Sequence, residues 1–460
     1  MSMNKQTCPD SKHIDVVDGI RAISVMIVVI FHFWQQTWID PIIKTPWLSF
    51  IKTNGKALTQ IDFSVYARAG YVFVDMLVLL SGFLISLPLI GCLLCGETME
   101  SASRFYRKRA ARILPSYLFF IVICFIYEVI NGGYNDGSGA FDTAYSLRDL
   151  ITHLTFTHML RTETYMGTKL NPVLWTLAVE VWFYMLFPLI CKLIKLCSVS
   201  KDDDKHIDRS KAFAVVLASS VIMIGLSHLY IYKYVLAYGT DLAKFTDGLS
   251  TRLGCSISSE YLSSAINQLP AFLGVYAIGL LGAMLYTFCA KRIKRSIGLS
   301  AVSTVFAFTA IVIVSNLVRN CAYSYTPEKW QVTERLSLSC VFMFFIISSA
   351  FSARWFRFVL SNRIMRFLSA ISYNLYIWHQ WLAVKIKYDF RIPFWQGSVP
   401  PNQLMDNEWS AKYAVIITIA AFAVAIITTY LIEKPFSALI LGKQQTGIFA
   451  FTNKKRSDTE

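Results

Sequence analysis

Ten stretches of mostly apolar residues, each close to the length of a membrane-crossing helix, recur along this chain of 460 residues. About 20 apolar residues suffice for an α-helix to cross the hydrocarbon core of a bilayer. The mean hydropathy of +0.47 and the low charged fraction of 16% exclude an ordinary soluble protein of this size. We therefore predict an all-α polytopic membrane protein with about ten transmembrane helices. The stretches lie at approximately 19–37, 70–92, 113–131, 171–191, 212–234, 267–288, 299–318, 336–352, 367–386 and 412–433.

Lysine and arginine concentrate in alternate connections between these stretches. Most of the 44 such residues lie on the side that holds the N-terminus, for example in 104–112 and 291–295. The positive-inside rule then predicts cytoplasmic termini and a multi-pass protein of the cytoplasmic membrane. The net charge of +15 is explained by this topology, and no basic domain with interleaved aromatics indicates nucleic-acid binding. We expect one membrane domain over 1–437 and a short cytoplasmic tail over 438–460.

The first apolar stretch carries polar residues on one face. Arg21 and His32 are eleven residues apart, which returns them to nearly the same helix face about 16 Å apart along the axis. Asp18 precedes Arg21 by three residues, so the carboxylate and the guanidinium can pair at the helix entrance. Polar groups inside a membrane span are costly and indicate a functional site by default.

Other ionisable residues lie at a depth comparable to that of His32. Counting residues from the helix ends places Glu180 and His379 near the outer half of the membrane and Asp75 nearer the outer rim. This count predicts that four ionisable groups on four helices meet in one outer layer. Each also has a structural interpretation as a hydrogen-bonded packing group, which stays open for Asp75 and His379.

Two further features surround this layer. Tyr184 follows Glu180 by four residues on one helix face, and Ser81 with Gly82 interrupts the second span, where glycine permits a kink or a close backbone approach. Ser81 is either a nucleophile or a packing residue. Arg109 and Arg112 are three residues apart in a basic run, so they can face one way and bind phosphate groups, although topology alone also explains the charge.

No spacing of cysteine, histidine or acidic residues indicates a metal site. Cys255 and Cys321 both fall in predicted outer loops, where an oxidising compartment permits a disulfide. Their pairing is a hypothesis that unchanged gel mobility after reduction would refute.

Five segments, in order, resemble the acyltransferase 3 family of integral membrane acyltransferases. They are 18–23 with the Arg21 to His32 spacing, 72–85 around Asp75 and Ser81, 109–115 with Arg109 and Arg112, 174–184 with Glu180 and Tyr184, and 371–379 with Tyr373 and His379. Two positions depart from the family pattern. Leu77-Val78 stands where paired phenylalanines are usual, and Val181 stands where a second glutamate often occurs.

The resemblance implies transfer of an acyl group, often acetyl, from cytoplasmic acyl-coenzyme A to an acceptor hydroxyl, frequently on a cell-envelope glycan. Arg109 and Arg112 would hold the coenzyme A phosphates, and Arg21 would either position the donor or balance Asp18. His32 would act as general base, a role suited to a neutral imidazole. Glu180 or Asp75 would orient it or stabilise its charged form. No permanently bound cofactor is implied.

Several questions stay open at this stage. The intramembrane charges are also compatible with a transporter's solute or proton path, although no inverted repeat is apparent; a sensor with a degenerate site is a third interpretation. No fused extracytoplasmic hydrolase-like domain, present in some members, is visible, so we expect the protein to act alone, recruit a partner or use an acceptor that needs no second step. A lipid-linked sugar, a polysaccharide, peptidoglycan and a small molecule all suit as acceptor. The oligomeric state is not predicted.

Overall fold

The fold is mostly helical, as the hydropathy pattern predicts. A computed structural model describes residues 14–50, 52–53, 56–57, 59–200, 207–233, 265–292, 296–324 and 327–442. The helices in these ranges are α1 (Asp15–Thr37), α2 (Ser64–Arg68), α3 (Phe73–Cys95), α4 (Ala102–Ile130), α5 (Thr143–Leu154), α6 (Thr162–Tyr165), α7 (Trp175–Cys197), α8 (Arg209–Ile231), α9 (Leu269–Arg292), α10 (Ile297–Ala322), α11 (Pro327–Phe351), α12 (Arg354–Ser361), α13 (Arg363–Tyr388), α14 (Asn407–Thr428) and α15 (Lys434–Leu441).

Nine helices within the described ranges are long and apolar enough to cross a membrane. They account for nine of the ten predicted stretches. The remaining stretch, 367–386, is also helical, in α13, but its polar residues leave it less apolar than the others. Because α13 packs between α1 and α14, its polar side chains face protein rather than lipid.

One boundary differs from its predicted position in a way that affects the site. The third predicted span begins at residue 113, but α4 begins at Ala102, with the Ser101 hydroxyl accepting a hydrogen bond from the Arg104 N–H. The basic run is therefore part of the helix, since arginine and lysine are good helix formers even though they are not apolar.

Small strands supplement the helices in the connection between α1 and α2. Strands β1 (Ile42–Lys44) and β4 (Gln60–Asp62) pair antiparallel, and β2 (Lys52–Thr53) and β3 (Lys56–Ala57) form a second antiparallel pair between them. These strands are a minor departure from the all-α prediction. Strands of two or three residues leave no recognisable pattern of apolar residues, so the sequence did not predict them.

The predicted close approach at Gly82 is present. A Cβ atom at Gly279 on α9 would lie 2.9 Å from the Gly82 carbonyl carbon and 2.8 Å from the Phe83 nitrogen on α3. Two facing glycines thus allow the α3 and α9 backbones to touch, as small residues do at interfaces between membrane helices. This contact fixes the position of α3, which carries Asp75 and Ser81.

The connection between α4 and α7 folds into a compact cap that contains α5 and α6. Its buried centre is the Asp149 carboxylate, which accepts hydrogen bonds from the Tyr134 hydroxyl at 2.9 Å and from the Thr168 hydroxyl at 2.9 Å. His153 Nδ1 lies 3.2 Å from Asp149 Oδ1, and the His153 ring stacks on His158 with centroids 4.1 Å apart. Both histidines are fully buried, and burial disfavours the charged form of His158.

This stacked pair predicts that the cap loses stability in acid. Burial, with the neighbouring His153, holds the pKa of His158 well below its ordinary value, so the unfolded chain binds a proton more readily than the folded one. The free energy of unfolding should therefore fall as the pH drops below about 6.5, the pKa of histidine in the unfolded chain. At pH 5.5 the expected loss from His158 is about 1.4 kcal/mol. In His158→Phe, which keeps the stacking surface, the thermal midpoint should depend less on pH between 7.5 and 5.5. The exposed His228 of α8 provides the control, because His228→Phe should keep the wild-type slope; equal slopes in all three proteins would contradict the prediction.

The predicted cytoplasmic location of both termini stays a prediction, as do the boundaries of the tail, because 1–13 and 443–460 lie outside the described residues. Cys255 also lies outside them, so its pairing with Cys321 is likewise still a prediction. In the structure the Cys321 sulfur lies 3.0 Å from the Tyr71 hydroxyl.

Candidate active site

A cavity of about 300 Å³ lies among five helices in the interior of the bundle. Helices α1, α3, α4, α7 and α13 each contribute side chains to its wall. Among the residues predicted from the sequence, those that line it are Arg21, Ser81, Arg109, Arg112, Glu180, Tyr184 and Tyr373. The tertiary structure therefore brings most of the candidate site residues together around one cavity.

Three guanidinium groups face this cavity. Arg109 and Arg112 both line it, as their spacing of three residues on α4 predicts, and Arg21 enters from α1. Arg112 lies close enough to Arg21 to interact electrostatically. The Arg109 guanidinium lies 5.4 Å from the centre of the Tyr184 ring, and its buried Nε has no hydrogen-bond partner among the described residues. Several like charges around a space without a matching number of carboxylates favour an anionic ligand.

Glu180 of α7 contributes a carboxylate to the same cavity. It lies within electrostatic range of all three arginines and beside Ser81. The Ser81 hydroxyl lies 2.6 Å from the Tyr184 hydroxyl, so the i, i+4 pair on α7 is tied to α3. The Ser81 hydroxyl thus lies in the cavity wall between the Tyr184 hydroxyl and the Glu180 carboxylate.

Tyrosines from α13 close the cavity. The Tyr373 hydroxyl donates to the Ile113 carbonyl at 2.9 Å, which joins α13 to the first turns of α4 beyond Arg112. Tyr376 also lines the cavity, and its hydroxyl accepts a hydrogen bond from Thr176 at 2.9 Å. These bonds fix the two aromatic rings because a buried phenol needs a partner.

Asp18 and Arg21 form the predicted pair at the entrance of α1. Arg21 Nη1 lies 3.9 Å from Asp18 Oδ1, and the Ser369 hydroxyl donates to the same oxygen at 3.2 Å. Asp18 thus holds Arg21 and links α1 to α13, while the guanidinium still faces the cavity.

His32 and His379 form a separate pair beyond the cavity. Their ring centroids are 5.0 Å apart, and the Tyr376 ring, which lines the cavity, lies 5.7 Å from that of His379. His379 Nδ1 donates to the carbonyl oxygens of Tyr376 at 2.7 Å and of Leu375 at 3.1 Å, which leaves its buried Nε2 as an acceptor without a partner among the described residues. His32 is partly exposed and its Nδ1 lies 3.1 Å from Gln35 Oε1.

The predicted meeting of four ionisable groups in one layer needs correction. His32 joins His379, Glu180 joins the arginines, and Asp75 is buried against Arg335 of α11, with its Oδ2 3.3 Å from Arg335 Nε. The depth count fails because it gives the height of a residue in the membrane but not the direction in which its side chain points. Asp75 therefore pairs with an arginine rather than with His32 in this structure.

Sequence reasoning missed Arg335, Thr176 and Tyr376. Arg335 lies in a stretch, 327–335, whose charges resemble an ordinary loop. A signal was nevertheless available, because a carboxylate predicted inside the membrane needs a cation, and Arg335 directly precedes the predicted span 336–352.

A model of a family described as an acyltransferase domain matches residues 14–433, which include every residue of the cavity. The chain belongs to the acyltransferase 3 family. Its members are integral membrane acyltransferases, which agrees with the nine candidate spans, and this membership replaces the transporter interpretation.

Curated relatives of this acyltransferase 3 chain are distant. It is 22% identical over 458 residues to O-acetyltransferase OatA of Staphylococcus aureus, covering 97% of this chain and 60% of the relative. It is 20% identical over 388 residues to peptidoglycan O-acetyltransferase OatA of Listeria monocytogenes, covering 82% of this chain and 50% of the relative. The chain thus spans about half to three fifths of the length of these relatives. No solved structure matches it.

Proposed function

We propose that the protein is a membrane O-acyltransferase that moves an acyl group, acetyl in the simplest case, from cytoplasmic acyl-coenzyme A to a hydroxyl of a cell-envelope glycan. The observation that carries this proposal is a cavity lined by three arginines together with a histidine pair. Helix α1 connects the two, because it carries Arg21 in the cavity and His32 in the pair. The relatives are named as O-acetyltransferases and in one case as a peptidoglycan O-acetyltransferase, which supports acetyl as the transferred group and a glycan as the acceptor.

In the proposed mechanism the arginines bind the phosphates of the donor. Arg109 and Arg112 supply charge-assisted hydrogen bonds, and Arg21, held by Asp18, supplies a third cation. Glu180 partly neutralises the cavity when the donor is absent, since its carboxylate lies within electrostatic range of all three arginines. The pantetheine arm then has to bridge about 16 Å along α1 between Arg21 and His32.

The transfer step takes place at the histidine pair. His32 accepts the proton of the acceptor hydroxyl as its oxygen attacks the thioester carbonyl carbon. The carbon–sulfur bond breaks, the ester forms, and the coenzyme A thiolate leaves and takes up the proton. His379, whose Nδ1 is held by backbone carbonyls, fixes the position of the His32 ring by packing 5.0 Å from it. We assign His32 as the base because it is the more exposed of the two and can reach an acceptor.

A thiol-release assay tests the role of the arginines. Purified protein in proteoliposomes is given acetyl-coenzyme A, and the free thiol of coenzyme A is measured. Arg112→Gln and Arg109→Gln should each raise the KM for acetyl-coenzyme A roughly ten- to a hundredfold, because each removes a charged hydrogen bond to phosphate. Arg107→Gln is the matched control on the same helix, since Arg107 is exposed and does not line the cavity. Equal KM values in Arg112→Gln and Arg107→Gln would refute the assignment.

The acceptor is tested in cells. Mass spectrometry of envelope glycans with and without the protein should reveal an acyl ester that depends on it. Restoration by the wild-type protein, but not by His32→Gln, would connect that ester to the proposed site. Unchanged glycan acylation in the absence of the protein would rule out an envelope glycan and direct attention to small-molecule acceptors.

A further inference from the structure

An apolar groove of about 870 Å³ lies on the other side of α1 from the cavity. Residues of β1, α2 and α3 contribute to its walls, and most of the lining belongs to helices α1, α10, α11 and α12, with side chains such as Ile27, Ile311, Phe345 and Val359. Three of these helices are candidate membrane spans, so the groove lies within the hydrocarbon region. In such a position it is filled by hydrocarbon, because water there would find almost no hydrogen-bond partners.

The hydroxyl groups that line the groove are already engaged. The Ser24 hydroxyl donates to the Ile20 carbonyl at 2.8 Å, and the Tyr66 hydroxyl lies 2.6 Å from the Ser315 hydroxyl. The lining is thus almost entirely apolar, and the groove suits an unsubstituted hydrocarbon chain. Along α1 it runs from Ile20 to Ile30, about 15 Å, which is about half the thickness of the hydrocarbon core. This length corresponds to an acyl chain of one leaflet.

A second cavity, of about 640 Å³, continues from one end of this groove and shares Phe308 and Trp355 with it. Its wall is mostly apolar, but unlike the groove it also carries a cation, the exposed Arg354, beside Ser296 and Ser300. Helices α10 and α12 both begin at this cavity, so their positive dipole ends add to the charge of Arg354. The combination is complementary to an anionic headgroup attached to a chain that lies in the groove.

Helix α12 itself has the composition of an interfacial helix. Phe356 and Leu360 are buried, whereas Trp355 and Phe358 are exposed beside Arg354. A short helix that combines arginine with exposed aromatics lies in the plane of the membrane interface and is attracted to anionic lipids. A Cβ atom at Gly19 would lie 2.1 Å from the Leu360 carbonyl oxygen, so only glycine lets α12 lie directly on α1.

The direction of the groove argues against the acceptor as its occupant. His32 follows Ile27 by five residues, so at about 100° per residue the two side chains point about 140° apart around α1. A lipid-linked acceptor whose chain occupied the groove would carry its sugar on the side of α1 away from the histidine pair.

We propose that these two connected cavities bind an anionic phospholipid, with its headgroup at Arg354 and one acyl chain in the groove between α1 and α10–α12. The site lies in the leaflet at which α10 and α12 begin, which the charge distribution predicts to be cytoplasmic. A lipid bound there packs along α1, the helix that carries Arg21, in the groove beside its contact with α12.

Native mass spectrometry of the purified protein in detergent tests the headgroup, with phosphatidylglycerol and phosphatidylcholine of identical chains as probes. Wild type should retain phosphatidylglycerol more strongly. Arg354→Gln should weaken that binding about fivefold, the contribution expected of one basic residue. Arg209→Gln is the control, an exposed arginine at the start of α8 outside both cavities, and should bind as wild type does. Equal retention of both lipids by wild type would overturn the headgroup assignment.

The chain site is tested by filling the groove. Ile311→Trp should reduce retention of both lipids, whereas Ile313→Trp should not, because Ile311 lines the groove and Ile313 does not, at similar exposures of 38% and 39%. Val359→Trp provides a second groove-filling variant on another helix if Ile311→Trp fails to fold. If both groove-filling variants retain the lipids as well as Ile313→Trp does, the assignment of the groove as the acyl-chain site is wrong. These measurements do not depend on acyl transfer, so their outcome is independent of the proposed function.

Discussion

Replacing His32 by glutamine is expected to lower acyl transfer by a factor of about 10² to 10⁴, the usual contribution of a general base. Glutamine keeps a hydrogen-bonding side chain of similar length but does not accept a proton near neutral pH. The dissociation constant for acyl-coenzyme A should stay unchanged, because Arg21, Arg109 and Arg112 lie in a separate cavity. Donor binding by calorimetry and transfer by thiol release measure the two quantities independently.

Two other histidines make this test selective. His228 of α8 is exposed, and its Nδ1 bonds to the backbone carbonyl of Ile224 at 3.0 Å, much as His379 bonds to its own preceding turn. His228→Gln should therefore be fully active. His379→Gln leaves the base in place and should reduce transfer by a smaller factor than His32→Gln. If His32→Gln keeps more than a tenth of wild-type activity while His379→Gln is inactive, the base has been assigned to the wrong member of the pair.

Neutralising Asp75 is expected to destabilise the protein by about 3–5 kcal/mol, the usual cost of breaking a buried ion pair. The Asp75 side chain is 0% exposed and that of Arg335 is 3% exposed, so in Asp75→Asn the arginine is left buried without its counter-charge. The Arg335 guanidinium also lies 4.0 Å from the centre of the Phe272 ring, and this contact alone does not replace a carboxylate. Thermal unfolding in detergent should show a marked decrease in the midpoint.

The exposed pair between Lys412 and Glu408 serves as control. Its nitrogen–oxygen distance of 2.7 Å is shorter than that of the buried pair, but the side chains are 62% and 80% exposed. Glu408→Gln should therefore leave the unfolding midpoint almost unchanged, because solvent screens an exposed ion pair. Similar losses in Asp75→Asn and Glu408→Gln would contradict the structural role of Asp75.

A double variant separates stability from chemistry at Asp75. Asp75→Leu combined with Arg335→Met removes both charges and should recover much of the stability lost in Asp75→Asn. If Asp75 only positions helices, the double variant should also recover transfer activity. A stable but inactive double variant would instead support the role in catalysis that the family resemblance implies for Asp75.

Much of the fold could be predicted because membrane helices obey a local rule. Each span has to satisfy its backbone within itself and expose apolar side chains, so hydropathy alone locates it. The rule describes α13 least well, because α1 and α14 shield this helix from lipid and it therefore tolerates polar residues, although its stretch 367–386 was still apolar enough to be predicted. It also misses the first turns of α4, which are helical but not apolar.

The sequence by itself determined the residue types of the site and some of its local geometry. The pairing of Asp18 with Arg21 and the common direction of Arg109 and Arg112 follow from helix periodicity, which acts over three or four residues. Only the tertiary structure decided which residues of different helices meet, placing Glu180 with the arginines, His32 with His379 and Asp75 with Arg335. The physical reason is that rotation of a helix about its axis is set by packing against its neighbours, and five helices must pack together before the cavity exists.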